Sequence, residues 1–188
     1  KILDTNIDDY GPDIFTDYLL DFIERNQEMP FFVYFPMVLV HEPFVPTPDS
    51  DDWEDPDMRY KNDTSYFRDM VSYTDKIVGK ILNKLEQLNI DENTLLIFTG
   101  DNGTHPTVYS NTVKGIVQGA KGNTIDAGVH VPLIAYWPEK IKEGFEFNGL
   151  IEFSDFFPTL ADIVKIKRET DGKSFYPLLT GASYNSRE

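Results

Sequence analysis

Asn93-Thr94-Leu95-Leu96-Ile97-Phe98-Thr99-Gly100-Asp101-Asn102-Gly103 is the stretch from which the rest of the chain can be read. Thr94 to Thr99 is a nearly continuous apolar and β-branched run, the pattern of a strand covered on both faces. Gly100-Asp101-Asn102-Gly103 cuts it off and leaves a carboxylate and an amide at its carboxyl end. Two more strands of this kind are expected, at Phe31 to Phe35 after Pro30 and at Val131 to Trp137 before Pro138. Helices fall between and around them. Asp13 is expected to cap one running to about Asn26, with Ile14, Phe15, Tyr18, Leu19, Phe22 and Ile23 on one face. Ser65 to Asn89 holds a 3–4 apolar spacing through Phe67, Met70, Val71, Ile77, Val78, Ile81, Leu82, Leu85 and Leu88. Phe153 to Val164 makes a further amphipathic helix around Pro158. Apolar strands alternating with amphipathic helices predict an α/β fold, a mostly parallel sheet flanked by helices.

Length and charge narrow the function. The 188 residues read as one portion of a single domain, 1–188, with no interior boundary, repeat or low-complexity segment. Aromatic residues make up 14% of the chain, enough for a sizeable core. There are 17 Lys and Arg against 32 Asp and Glu, a net charge of −15. Such a field repels phosphate backbones and argues against a nucleic-acid partner. No apolar run reaches the roughly 18 residues of a membrane span. With no cysteine, disulfides and thiolate chemistry are excluded. The chain opens on Lys1 without a Met or a leader pattern and is expected to be a piece of a longer protein.

Ligands of open α/β sheets bind beyond the carboxyl ends of the strands, and three polar clusters belong there. His41 follows the Phe31–Phe35 run and opens a loop to Tyr60 that holds Pro43, Pro46, Pro48 and Pro56, expected on the surface. Asp101 and Asn102 follow Thr99, and their oxygens are hard donors suited to Ca²⁺ or Mg²⁺. Lys121 lies in the glycine-rich segment from Gly115 to Gly128. Taken singly, Asp-Asn-Gly is a turn, His41 a loop residue and Lys121 an exposed lysine. The phosphate-binding glycine loops and the Gly-x-Ser-x-Gly elbow are absent, and His41, His105 and His130 are not spaced as a helical zinc site.

The order of these clusters resembles the later part of a sulfatase catalytic domain, in the alkaline-phosphatase-like superfamily. Pro30-Phe31-Phe32-Val33-Tyr34 leading to His41-Glu42-Pro43-Phe44 is similar to one family segment, and Tyr73-Thr74-Asp75-Lys76-Ile77-Val78-Gly79 to a family helix. Asn93 to Gly103 resembles the family's Ser-Asp-Asn-Gly strand end. Gly119-Ala120-Lys121 through Asp126-Ala127-Gly128-Val129-His130-Val131-Pro132 resembles its next segment. Asp155-Phe156-Phe157-Pro158-Thr159 and Asp171-Gly172-Lys173-Ser174 complete the series. Gly100 stands where Ser is usual, Asp126 where Glu is usual, and His130 where Arg is usual.

The resemblance implies a sulfuric ester hydrolase acting on a small-molecule or carbohydrate sulfate ester. It implies a Ca²⁺ (or Mg²⁺) held partly by Asp101 and Asn102, with His41 and Lys121 on the sulfate oxygens. The family's formylglycine nucleophile, made from Cys or Ser in a C/S-x-P-x-R motif, is expected upstream of this chain, and a small C-terminal subdomain beyond it. The 188 residues alone are therefore expected to be an incomplete, inactive catalytic domain. Family members are often exported, periplasmic or lysosomal. Two alternatives stay open at this level. One is a phosphatase, phosphodiesterase or phosphoethanolamine transferase on the same scaffold, although Asn102 suits calcium better than zinc. The other is a non-catalytic homologue that binds sulfated ligands.

Overall fold

The computed structural model describes residue 6 and residues 9–113 and 115–187, so the expectation placed on Lys1 lies outside the described residues. The chain forms two compact units that interleave, residues 1–90 with 99–132 and residues 91–98 with 133–188. Of the three crossings between them, the one after Ile90 falls in the polar stretch Asn89 to Asn93, while those at Phe98–Thr99 and Pro132–Leu133 fall inside apolar runs that no sequence signal marks.

In the first unit, α1 (Gly11–Arg25) carries Pro12 in its first turn, where a missing N–H costs nothing. This starts the helix before Asp13, which is not the cap. Tyr10 takes that position, and the Asp13 carboxylate accepts from Lys80 Nζ at 2.6 Å and from the Tyr73 hydroxyl. The buried face is Thr16, Leu19 and Ile23, while Phe15 and Tyr18, expected inward, are exposed. Thr16 takes the interior place because its hydroxyl donates to the Pro12 carbonyl at 2.6 Å.

The longest helix, α2 (Phe67–Gln87), turns Met70, Tyr73, Thr74, Ile77 and Leu85 inward. Each large apolar side chain among them contributes about 1.5–3 kcal/mol. Asn89, at φ 55°, ends it, and the Ile90 N–H reaches back to the Leu85 carbonyl.

Two expectations need correcting. Phe31 to Phe35 is not a ladder strand and is not covered on both faces: Phe32 and Tyr34 are exposed while Phe31, Val33 and Phe35 are half-buried. That alternation belongs to extended chain wet on one side, and among the described residues no strand pairs with it. The stretch from His41 to Tyr60 is irregular, as its prolines require, but it is not a simple surface loop. Phe44, Pro46, Thr47, Trp53 and Arg59 are buried, and the Arg59 guanidinium lies 3.7 Å over the Trp53 ring. Its acids meet partners near α2: Asp49 with Lys76 at 2.7 Å, and Asp52 with the Tyr66 hydroxyl at 2.5 Å.

The glycine-rich segment and the residues just before it contain structure that their composition conceals. Tyr109–Thr112 (β2) and Gly115–Gln118 (β3) form an antiparallel hairpin with Ser110 opposite Val117 and Thr112 opposite Gly115. A one-turn helix, α3 (Asp126–Val129), follows it.

In the second unit, which takes in all of β1 (Leu96–Thr99) but its last residue, that strand pairs with β4 (Leu133–Tyr136). The two strands lie where expected but are not covered on both faces: β1 is half-buried throughout and Ile134 is exposed. The predicted last helix is a 3-10 turn, Phe153–Asp155, running into α4 (Phe156–Ile163), with α5 (Tyr176–Leu179) packed on it. Pro158 is tolerated because it sits in the first turn of α4. Asp155 is fully buried, accepting from the Glu152 and Lys173 backbone N–H groups and from Arg187. Burial pushes its carboxyl up, but Arg187 and the two N–H groups outweigh it and hold the group below its usual range. The Thr159 hydroxyl donates to the Asp155 carbonyl and accepts from the Phe175 N–H at 2.9 Å. The two last sequence motifs are therefore one interlocked structural unit. No helix among the described residues is long and apolar enough to cross a membrane.

Candidate functional site

The polar residues singled out in the sequence lie in the first unit, on loops fixed by close backbone contacts. Gly103 is buried, and its N–H donates to the Gly128 carbonyl at 2.9 Å. A Cβ there would stand 2.1 Å from the Ala127 carbonyl oxygen, so only glycine lets segment 100–103 lie against 127–131. Asp101 and Asn102 sit at the head of this contact, just past β1. Asp101 is exposed and Asn102 half-buried, and among the described residues neither side chain has a hydrogen-bond partner. Two hard oxygen donors left open at a strand end fit a divalent cation such as Ca²⁺. Two are fewer than such an ion needs, and among the described residues no three His, Cys, Asp or Glu side chains gather into a metal site.

Lys121 is reached by a chain segment running beside 104–108. The Gly119 N–H donates to the Val108 carbonyl and the Lys121 N–H to the Thr104 carbonyl, both at 2.9 Å. These bonds bring its side chain to His41: Lys121 Nζ lies 2.6 Å from His41 Nε2, across 80 residues of sequence. His41 is held from the other side, its Nδ1 lying 2.7 Å from the Glu42 carbonyl. A carbonyl only accepts, so Nδ1 carries the hydrogen and Nε2 offers its lone pair to the ammonium. The segment is anchored by Phe44, which is 2% exposed among Met70 and Val108 and whose N–H donates to Asn62 Oδ1 at 2.8 Å.

His105 lies 3.3 Å from Glu42 Oε2, with its ring edge-on to Phe44. His130 pairs with Asp126 at 3.1 Å. Those two line a cavity of about 250 Å³ with Asn102, Ser110, Thr112 and Gln118. Sequence reasoning missed the hairpin residues of this wall. Both hairpin strands are exposed along their whole length, so no apolar alternation announces them. Glu42 stood inside a quoted motif, but nothing in the spacing linked it to His105.

The sulfatase family model matches residues 4–166. An N-acetylgalactosamine-6-O-sulfatase of Bacteroides thetaiotaomicron is 31% identical over 94% of this chain and 35% of its own length. Human steryl-sulfatase is 32% identical over 88% of the chain and 29% of its own length. Among solved structures, Ps i-CgsB superposes with a TM-score of 0.78 at 27% identity, over 95% of this chain and 40% of that one. The same protein has been crystallised in complex with k-i-k-neocarrahexaose, with a TM-score of 0.77. The chain thus spans about a third of the length of the curated relatives it matches. It has the α/β, alkaline-phosphatase-like fold of these neighbours in part, and it belongs to the sulfatase family.

Proposed function

We propose that the protein to which these residues belong hydrolyses sulfate esters, and that Asp101, Asn102, His41 and Lys121 are this chain's share of the site. The observation that carries the reading is the 2.6 Å contact between Lys121 and His41, two motif residues brought together from distant segments. Asp101 and Asn102 would hold a Ca²⁺ or Mg²⁺ ion, which when bound supplies positive charge to the sulfate and to the formylglycine expected elsewhere in the protein. The Lys121 ammonium has three N–H groups and spends one on His41. Two remain to hold sulfate oxygens and to neutralise the charge that builds on the departing ester oxygen. A proton on Nζ is also in place for that oxygen. His41, fixed through Nδ1, keeps the ammonium from swinging into solvent.

A carbohydrate is the alcohol part that the neighbouring cavity suits. Its walls carry hydroxyl, amide, carboxylate and imidazole groups from Ser110, Thr112, Gln118, Asp126 and His130. The apolar half of the wall comes from short side chains, among them Val117, Ala127, Val131 and Pro132. A ring bearing several hydroxyls finds donors and acceptors there, whereas a fused hydrocarbon skeleton does not.

Sulfate release by the complete protein tests this, with a 6-O-sulfated hexosamine, 4-nitrophenyl sulfate and 4-nitrophenyl phosphate as substrates. Turnover of the sulfates, lowered about 100-fold or more in Lys121→Ala, is expected. Faster hydrolysis of the phosphate, or full activity in the variant, would overturn the reading.

A further inference from the structure

Glu42 is bracketed by two histidines, and hydrogen-bond direction assigns the tautomer of each. The Thr107 backbone N–H points at His105 Nδ1 from 3.3 Å, and the Thr107 hydroxyl lies 2.8 Å from the same nitrogen. A backbone N–H only donates, so Nδ1 of His105 is bare and Nε2 carries the hydrogen. That Nε2 faces Glu42 Oε2 at 3.3 Å. On the other side of Glu42, His41 donates Nδ1–H to the backbone carbonyl and turns its bare Nε2 to Lys121. Thr107 donates to His105, whose Nε2 then stands within ion-pair distance of the Glu42 carboxylate, and Lys121 donates to His41, which donates to the Glu42 carbonyl.

We propose that Glu42 and His105 are positioning residues that clamp His41, and through it the Lys121 ammonium, in one orientation. Its catalytic part rests on the sulfatase reading above. His41 is exposed and sits on irregular chain, where an imidazole ring has several rotamers and two tautomers open to it. Holding Glu42 by its side chain fixes the carbonyl that selects one of them. The clamp is itself immobilised, because the His105 ring meets Phe44 at 6.0 Å between centroids and Phe44 is buried against Met70 and Val108. The arrangement is paid for in folding, before any substrate arrives.

Two readouts test it on the full-length protein. In ¹⁵N-histidine NMR the wild type should show His105 as the Nε2–H tautomer and His41 as Nδ1–H. In His105→Ala, His41 should lose its single tautomer and average between the two. In sulfate ester assays His105→Ala should lower kcat about 10- to 100-fold with KM within twofold, the usual size of an orienting partner's loss. His105→Gln, whose amide N–H reaches Glu42 and whose oxygen accepts from Thr107, should restore most of it. An unchanged His41 tautomer in His105→Ala would overturn the proposal. So would equal losses in the Ala and Gln variants with a matching fall in Tm, since His105 would then serve only the Phe44 cluster. A wild type that turns over no sulfate ester, yet whose His41 tautomer is lost in His105→Ala, would sink the sulfatase reading and uphold the clamp.

Discussion

Asp101 in the first unit and Asp155 in the second both sit in sequence motifs, and their surroundings are opposite. Asp101 lies in the open with no partner among the described residues, on a loop whose backbone is pinned at Gly103. Asp155 has no exposed surface, and Arg187 and two backbone N–H groups hold it. A carboxylate consumed by its own fold does structural work. One that a rigid loop leaves unpaired has its oxygens free for something else.

Exchanging the two aspartates for alanine tests this contrast most strongly. Asp155→Ala takes the acceptor from two backbone N–H groups and leaves Arg187 with Glu152 at 3.0 Å, so the loss should be about 2–4 kcal/mol, seen as a large drop in the denaturant midpoint. Asp101→Ala should leave that midpoint within about 0.5 kcal/mol while removing most sulfate ester turnover in the complete protein. Asp51, exposed in the acidic loop, serves as the control: Asp51→Ala should change neither quantity. Equal stability losses at positions 101 and 155 would erase the distinction.

The lock around Asp155 has a second part in Gly172. A Cβ there would lie 1.8 Å from the Ser154 carbonyl oxygen, which belongs to backbone and cannot step aside. Gly172→Ala should therefore destabilise by about 1–3 kcal/mol, measured by thermal unfolding, with the fall confined to probes in the second unit. A neutral variant would mean that the two motifs are less tightly interlocked than they look.

Titration separates the units more gently. Free Asp titrates near 3.8, and Asp155 titrates lower in the folded chain. Its contribution is complete above 3.8 and is lost as pH falls below that value toward the folded one, a slope that Asp155→Asn should flatten. In the first unit the Tyr66 hydroxyl donates to Asp52, and chiefly that bond, helped by burial, pushes the phenol up to about 12. This contribution is present below pH 10 and fades between 10 and about 12, and Tyr66→Phe should remove that alkaline slope. Unfolding curves across both ranges measure the two effects.

What the sequence disclosed, and what it hid, follows the same physics. The Thr94–Thr99 and Val131–Trp137 runs read correctly as strands through their apolar and β-branched residues, although neither is covered on both faces, and the Ser65–Asn89 helix because its buried face recurs every three to four residues. Phe31 to Phe35 reads equally apolar, but a ladder depends on a neighbouring strand and no local pattern encodes one. The hairpin of β2 and β3 escaped for the reverse reason, being wet on both faces. Of the candidate site, the sequence offers residue types and their order, while the contact of His41 with Lys121 across 80 residues is made by the fold. The clamp through Glu42 and His105 was not, since it is made of side-chain direction, which spacing does not carry.

The smallest expected effect concerns Gly100, where the family pattern has Ser. Three residues on, Gly103 has no room for a Cβ, and position 100 is its counterpart in the same loop. A Cβ at Gly100 would lie 3.4 Å from the Cβ of Val131 and 3.7 Å from the Asn102 carbonyl oxygen, ordinary van der Waals contact with nothing to displace. Its backbone does not occupy the left-handed region, so a side chain meets no conformational strain. Gly100→Ser should then be stable to within about 0.5 kcal/mol, with any gain coming from the narrower unfolded ensemble, and Gly100→Ala should match it. Gly103→Ala should fail by a wide margin under the same denaturant series. If Gly100→Ser lost as much stability as Gly103→Ala, the loop would be strained at both glycines, and its rigidity could not be assigned to the single contact with Gly128.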